Sequence, residues 1–118
     1  MHRRNVITSL GATVLAAPFT SAYAQDKYPS RPVRLIVPFA PGGATDIVAR
    51  AVARDLAGSL NQSVIVDNRG GAGGSVGHEI AVRSAPDGYT LAFVSGSYAT
   101  SAALIDPPYD PVSSITPV

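Results

Sequence analysis

The chain has no cysteine, so neither a disulfide framework nor a thiolate metal site can arise. It has two histidines, His2 and His78. Neither lies beside the serines of Ser95–Ser101, so a Ser–His hydrolase arrangement is not expected, and no catalytic residue is assigned. No lysine follows a glycine-rich stretch, as a P-loop requires. Gly71-Ala72-Gly73 begins like a dinucleotide fingerprint, but Val76 stands where the third glycine belongs and Gly77 comes one residue late. There is no apolar run of the roughly 20 residues that a membrane span needs. Internal repeats and heptads are absent as well. These gaps leave no implied metal or cofactor.

The start of the chain reads as a secretory signal. Arg3 and Arg4 give a basic opening, Val6 to Ala17 is apolar or small, and Ala22-Tyr23-Ala24 fits the small-x-small cleavage rule before Gln25. Residues 1–24 are therefore expected to leave on export. The arginine pair serves as an ordinary basic n-region for Sec and also permits a twin-arginine signal; Sec is the expected route. With Arg3 and Arg4 gone, seven basic residues face eight acidic ones, a net charge of −1. No basic field remains for nucleic acid or an acidic membrane surface. Export without cysteine fits a bacterial periplasm, where disulfides are permitted but not required.

Residues 25–118 alternate strand-like and helix-like segments. Tyr28-Pro29-Ser30-Arg31-Pro32 is an extended lead-in, because proline fixes its own φ and pushes its predecessor away from helix. Val33 to Val37 reads as a strand covered on both faces, with Arg34 near its start so that its head reaches water. Thr45 to Leu60 reads as a helix with Thr45 as N-cap and Ile47, Val48, Ala51, Val52, Leu56 and Leu60 facing inward; Asp46 and Arg50 form an i,i+4 pair. Val64 to Val66 is the heart of a second strand. Ser75 to Ser84 reads as a second helix with Val76, Ile80 and Ala81 inward and His78 solvated. Pro86-Asp87-Gly88 is a tight turn before a third strand, Thr90 to Val94. The order β-α-β-α-β is half of a doubly wound parallel α/β sheet. After the loop Asp106–Pro111, Ser113–Val118 reads as the approach to another strand, which makes a truncated chain the expectation. A domain this small buries a modest share of its surface and is expected to be only modestly stable.

Two glycine-rich turns carry the functional reading: Pro38–Asp46, with Gly42 and Gly43, and Arg69–Gly74, with four glycines. Each leads from a strand into a helix. Glycine frees the backbone there and leaves N–H groups uncovered at helix starts, where anions bind without a cationic side chain. If the first strand is central, the turns after strands one and three flank the crevice at the carboxyl edge of the sheet, and the turn after strand two leans in. Ser95, Ser97 and Thr100 then add hydroxyls. The plainer alternative is that these glycines only make tight β-to-α turns. Asp46 would repel an anion unless it faces its own backbone amides and holds the loop, or unless the ligand carries an ammonium.

Taken in order, Tyr28-Pro29-Ser30-Arg31-Pro32, Ile36-Val37-Pro38-Phe39, Pro41-Gly42-Gly43 with Asp46, Asp67-Asn68-Arg69, Gly71-Ala72-Gly73-Gly74, Ala85-Pro86-Asp87-Gly88-Tyr89-Thr90-Leu91, Tyr109-Asp110-Pro111 and Thr116-Pro117-Val118 resemble the N-terminal part of the Bug-type receptors, the periplasmic substrate-binding proteins of tripartite tricarboxylate transporters. The resemblance implies that residues 25–118 are the first part of lobe one of a two-lobed, hinge-closing binder of the type II periplasmic fold. It implies a small organic carboxylate as ligand, membrane permease subunits as partners, and neither catalysis nor a cofactor. Carried over by position, the ligand contacts are Phe39, Ala40, Gly42, Gly43, Ala44 and Asp46 from the first turn, Gly71, Ala72 and Gly73 from the second, and Ser95 and Ser97 from the third. Gly70 stands where the family often has proline. With the return segment and second lobe missing, such a chain is expected to bind poorly by itself. The competing readings are an exported Rossmann-like enzyme holding a nucleotide or phosphate at the same turns, and a non-functional remnant.

Overall fold

The computed structural model describes residues 27–118, so the expected signal segment, residues 1–24, lies outside the described residues. Three parallel strands, β1 (Val33–Val37), β2 (Val64–Asn68) and β3 (Thr90–Ala92), form one sheet in the order β2-β1-β3. Around it lie α1 (Ala44–Leu60), α2 (Ser75–Val82) and α3 (Ser97–Ile105). The α/β class and the parallel sheet are as the sequence predicts, and β1 takes the central place that the sequence reading left as a condition. Register runs from Val33 opposite Val64 to Val37 opposite Asn68, and from Arg34 opposite Thr90 to Ile36 opposite Ala92.

β1 is central because it is the most apolar strand and can tolerate cover on both faces. Val33, Leu35, Ile36 and Val37 are all buried. Leu35 and Val37 meet Ala49 and Ala53 of α1, with Val64, Val66, Leu91 and Phe93 at the margin. Each large apolar side chain so buried stabilises the fold by about 1.5–3 kcal/mol. Arg34 does not simply reach for water: its Nε donates to Asp67 Oδ2 at 2.6 Å across the β1–β2 pair. That pairing, together with the register, carries β2 past Val66 to Asn68.

The helix faces differ from expectation. On α1 the buried residues are Asp46, Ala49 and Ala53, while Ile47 is 64% exposed and Val48 53%. Apolar residues nearly encircle this helix, so periodicity alone did not single out one face. The structure places the smallest side chains against the sheet, where they allow a close approach. Thr45 is not the N-cap. Gly43 holds that place, its carbonyl accepting from the Ile47 amide at 3.0 Å, and the helix starts one residue earlier. At the other end Asn61 adopts the left-handed conformation that stops the helix.

α2 turns a different side inward. Gly77 and His78 are buried, Val76 is largely exposed, and Ile80 and Ala81 are half-buried. A Cβ on Gly77 would sit 2.7 Å from the Arg69 carbonyl oxygen and 2.8 Å from Pro38 Cα. Only a glycine lets the helix touch the end of β1 this closely, and that contact fixes which side faces the sheet. His78 follows Gly77 inward rather than lying in solvent.

β3 is shorter than expected, and the chain re-enters a helix, α3, where the sequence reads as a loop. α3 has no buried residue; its small Ser, Thr and Ala side chains gave no amphipathic signal to read. The lead-in is clamped to the turn before β3. Tyr28 Oη donates to the Gly88 carbonyl at 2.6 Å, the Ser30 amide donates to Tyr89 Oη at 2.9 Å, and the Arg31 guanidinium lies 4.0 Å above the Tyr89 ring. Gly88, at φ +80°, supplies the turn.

Candidate functional site

The turns after β1 and β2 run side by side at the carboxyl edge of the sheet. Pro38, Phe39, Ala40 and Pro41 form one wall of a groove; Asn68 and Gly70 to Gly74 form the other. Its volume, about 510 Å³, is ample for a small organic acid. The close approach starts at Gly70, where a Cβ would lie 3.2 Å from the Ala40 amide nitrogen.

The second wall is built from backbone. Gly71, Ala72, Gly73 and Gly74 all have positive φ, at 138°, 46°, 67° and 101°. Three of the four are glycines, for which positive φ carries no Cβ penalty, so few side chains cover the backbone here. The short 3-10 turn Ala72–Gly74 closes through the Gly74 amide to the Gly71 carbonyl at 2.9 Å and the Ser75 amide to the Ala72 carbonyl. The amides of Ala72 and Gly73 stay outside that ladder. α2 starts directly behind them, adding its positive end. Ala72 is the one residue of the four with a Cβ, and holding it left-handed costs about 1 kcal/mol.

The first wall is held by side chains. Asp46 is buried, and its Oδ2 accepts from the Gly42 amide and from Arg50 Nε, both at 2.9 Å. Asn68 Nδ2 donates to Asp46 Oδ1 at 2.9 Å and to the Phe39 carbonyl at 3.1 Å, while Arg50 Nη2 donates to Asn68 Oδ1 at 3.2 Å. Arg50 first, then the Gly42 amide and Asn68, hold the Asp46 carboxyl down at about 2. Asp46 therefore stays ionised, its charge is answered by Arg50, and it ties the turn to α1 and to the end of β2. The repulsion the sequence raises is thus met within the protein. Because Asp46 takes the Gly42 amide, Gly42 shapes the turn rather than offering a donor.

Of the residues carried over from the resemblance, the groove brings together Phe39, Ala40, Gly71, Ala72 and Gly73. Gly42, Gly43 and Ala44 are exposed at the start of α1 beyond its lining, and Asp46 sits behind it. Ser95 and Ser97 bond each other, Oγ to Oγ at 2.8 Å, and Ser95 opens onto a separate groove with Tyr98, Pro111 and Val112. Thr100 donates back to the Ser97 carbonyl at 3.1 Å. The α3 residue that reaches the second turn is Ser101, whose Oγ lies 3.5 Å from the Gly73 carbonyl oxygen. Sequence reasoning missed Ser101, because its role depends on an unrecognised helix. It also missed Asn68 as the strut between the turns; an amide ending a strand beside a glycine loop was the available signal. A further groove, about 470 Å³, runs along the outer flank of β3 past Leu91 and Val94, away from the glycine turns.

Residues 48–118 match the family described as tripartite tricarboxylate transporter family receptor. Protein BugT of Bordetella pertussis is 40% identical over 121 residues, covering 100% of this chain and 37% of its own length. The structure of periplasmic binding protein BugD superposes with a TM-score of 0.74 at 42% identity, over 77% of this chain and 31% of that one. MatC from Rhodopseudomonas palustris, solved with bound malate, superposes with a TM-score of 0.71 at 39% identity, over 77% of this chain and 32% of that one. The chain thus spans about a third of the length of these relatives.

Proposed function

The chain belongs to the tripartite tricarboxylate transporter receptor family, and from that premise we propose that residues 25–118 form the ligand-facing part of lobe one of a periplasmic solute receptor. The ligand is a small organic carboxylate, held without reaction and passed to membrane permease subunits. The observation that carries this reading is the groove between Phe39–Ala40 and Gly71–Gly73, walled by backbone amides and the positive end of α2. Such a site binds a carboxylate through fixed dipoles and bridging waters, with no cationic side chain to desolvate. Malate bound to MatC, and adipate bound to a further structural relative at 40% identity, support the ligand class. Closure of a second lobe over the groove would complete the contacts. Residues 1–24 act as the export signal.

The missing third glycine and the lack of a P-loop lysine weigh against a nucleotide at these turns. The test is an amide-resolved NMR titration of residues 25–118 with malate, adipate, inorganic phosphate and a nucleotide. Saturable shifts confined to the two glycine turns, with a dissociation constant of about 1–10 mM for the diacids, are expected for one lobe's contacts. Shifts centred on the β3 flank, or a nucleotide binding more tightly than either diacid, overturn the proposal.

A further inference from the structure

We infer that His78 is the positioning residue that keys together the three segments at the carboxyl edge of the sheet, and that it does so only as the neutral imidazole. The inference rests on reading the glycine groove as the carboxylate site. His78 is 1% exposed, on the buried side of α2. Its ring meets the Tyr98 ring of α3 edge-on, with centroids 4.7 Å apart and planes at 83°. Its Cε1 lies 3.3 Å from where a Gly74 Cβ would be, and the Pro38 Cβ lies 3.4 Å from that same point. Gly74 thus lies close to both His78 and Pro38, with little room for a side chain. One ring therefore bears on the second turn and on α3, and through Gly74 on the first turn.

Neither His78 ring nitrogen has a hydrogen-bond partner among the described residues, and both are buried. A phenyl or aliphatic side chain would fill such a slot without leaving polar atoms unmatched. A histidine adds one property that they lack, a proton that comes on near neutral pH. The surroundings offer the proton no stabilisation. The 3-10 turn and β3 present no titratable side chain to the ring. From β1, Arg34 is engaged by Asp67. From α3 comes the Tyr98 phenol, whose Oη donates to the Pro111 carbonyl at 2.8 Å, with Tyr109 stacked on Tyr98 and Asp110 beyond. On α2 itself, Glu79 pairs with Arg83 at 2.7 Å. Burial accordingly pushes the His78 imidazole below its usual 6.5. An imidazolium left without an acceptor moves toward water. A shift of the ring disturbs its contacts with Tyr98 and Gly74, and Gly74 ends the wall that carries the Ala72 and Gly73 amides. The groove then holds its acid at neutral pH and loosens under mild acid.

The sign follows from linkage. Above pH 6.5 the ring is neutral folded or unfolded and has no effect; as pH falls below that value the unfolded chain takes the proton first, and packing around His78 weakens. The test is an NMR pH titration of the full chain from about pH 8 to about pH 5, in wild type and His78→Phe. It follows the His78 ring signal and the amides of Ala40, Gly73, Gly74, Ser95 and Ser97, with malate affinity measured at each end. In wild type the amides of all three segments are expected to move with the midpoint of the ring, below pH 6.5. His78→Phe stays flat. Relative to that variant, which shares the ligand's own titration, wild-type malate affinity falls about tenfold between the two ends. A ring that titrates while the loop amides stay still, or an acid response that survives in His78→Phe, overturns the inference. If His78→Phe does not fold, the wild-type titration alone decides it. Amides that follow the ring while a nucleotide, and not malate, binds the glycine turns reject the carboxylate reading and leave the coupling standing.

Discussion

The two glycine turns look alike in sequence and are held by opposite means. The first is pinned by charge: Asp46, Arg50 and Asn68 fix Gly42 and Phe39 through side-chain hydrogen bonds. The second is pinned by contact: Gly77 lies against Pro38 and Arg69, and Gly74 lies between Pro38 and His78. Fixing the first turn with a buried carboxylate costs nothing at the groove, because the carboxylate is turned away and matched. Fixing the second by packing leaves the Ala72 and Gly73 amides outside its hydrogen bonds. One turn thus supplies the frame and the other the donors.

Breaking the contact-held turn should have the largest effect. Gly77→Ala drives a methyl into two backbone atoms that cannot rotate aside, and the expected loss is about 3 kcal/mol, read as a lower midpoint in urea unfolding. A loss below about 0.5 kcal/mol would mean that α2 is not held there. Asp46→Asn should come next. It removes the charge that Arg50 answers and misplaces the bond to Gly42, so the melting temperature falls and the amides of Phe39, Ala40, Gly42 and Gly43 shift while those of Gly71 to Gly74 keep their positions. Equal shifts in both turns would show that the two are not separately held.

Acid sharpens the comparison without a mutation. The Asp46 carboxyl is lowered from 3.8 to about 2, so its contribution is complete above pH 3.8 and is lost as pH falls toward 2. Both turns should shift below pH 6.5, where His78 takes its proton, but the side-chain bonds that Asp46 makes to the first turn should let go only in strong acid. Circular dichroism of wild type against Asp46→Asn isolates the second step, which the variant should lack. The smallest effect is expected from Ala72→Gly. Relief of the left-handed strain and the added freedom of the unfolded chain oppose each other, for a net change within about 1 kcal/mol in either direction. Malate affinity is the informative readout there, since the amide stays where it is.

The sequence made some of this legible and hid the rest for identifiable reasons. β1 was readable because Val33–Val37 is apolar enough to demand cover on both faces, and the turns because glycine repeats where the backbone must curl left-handed. The groove between the two turns followed from the same glycines. The inward face of α1 was not readable, since Ala49 and Ala53 win by being small rather than by being apolar. His78 escaped because a lone histidine on a helix carries no sign of its burial; only the pressure of Gly77 against Pro38 shows which way the helix turns. α3 escaped because a run of small residues has neither a helical nor a strand period, and with it went Ser101.

The tyrosines give the molecule its own optical reporter. Tryptophan is absent, so near-ultraviolet emission comes from tyrosine alone. Four of the five tyrosines form two pairs: Tyr28 with Tyr89, ring centres 5.0 Å apart at the lead-in clamp, and Tyr98 with Tyr109, 6.5 Å apart beside His78. Replacing both members of one pair with phenylalanine, Tyr28 and Tyr89 or Tyr98 and Tyr109, leaves the other pair to report on its own end of the sheet in residues 25–118, label-free.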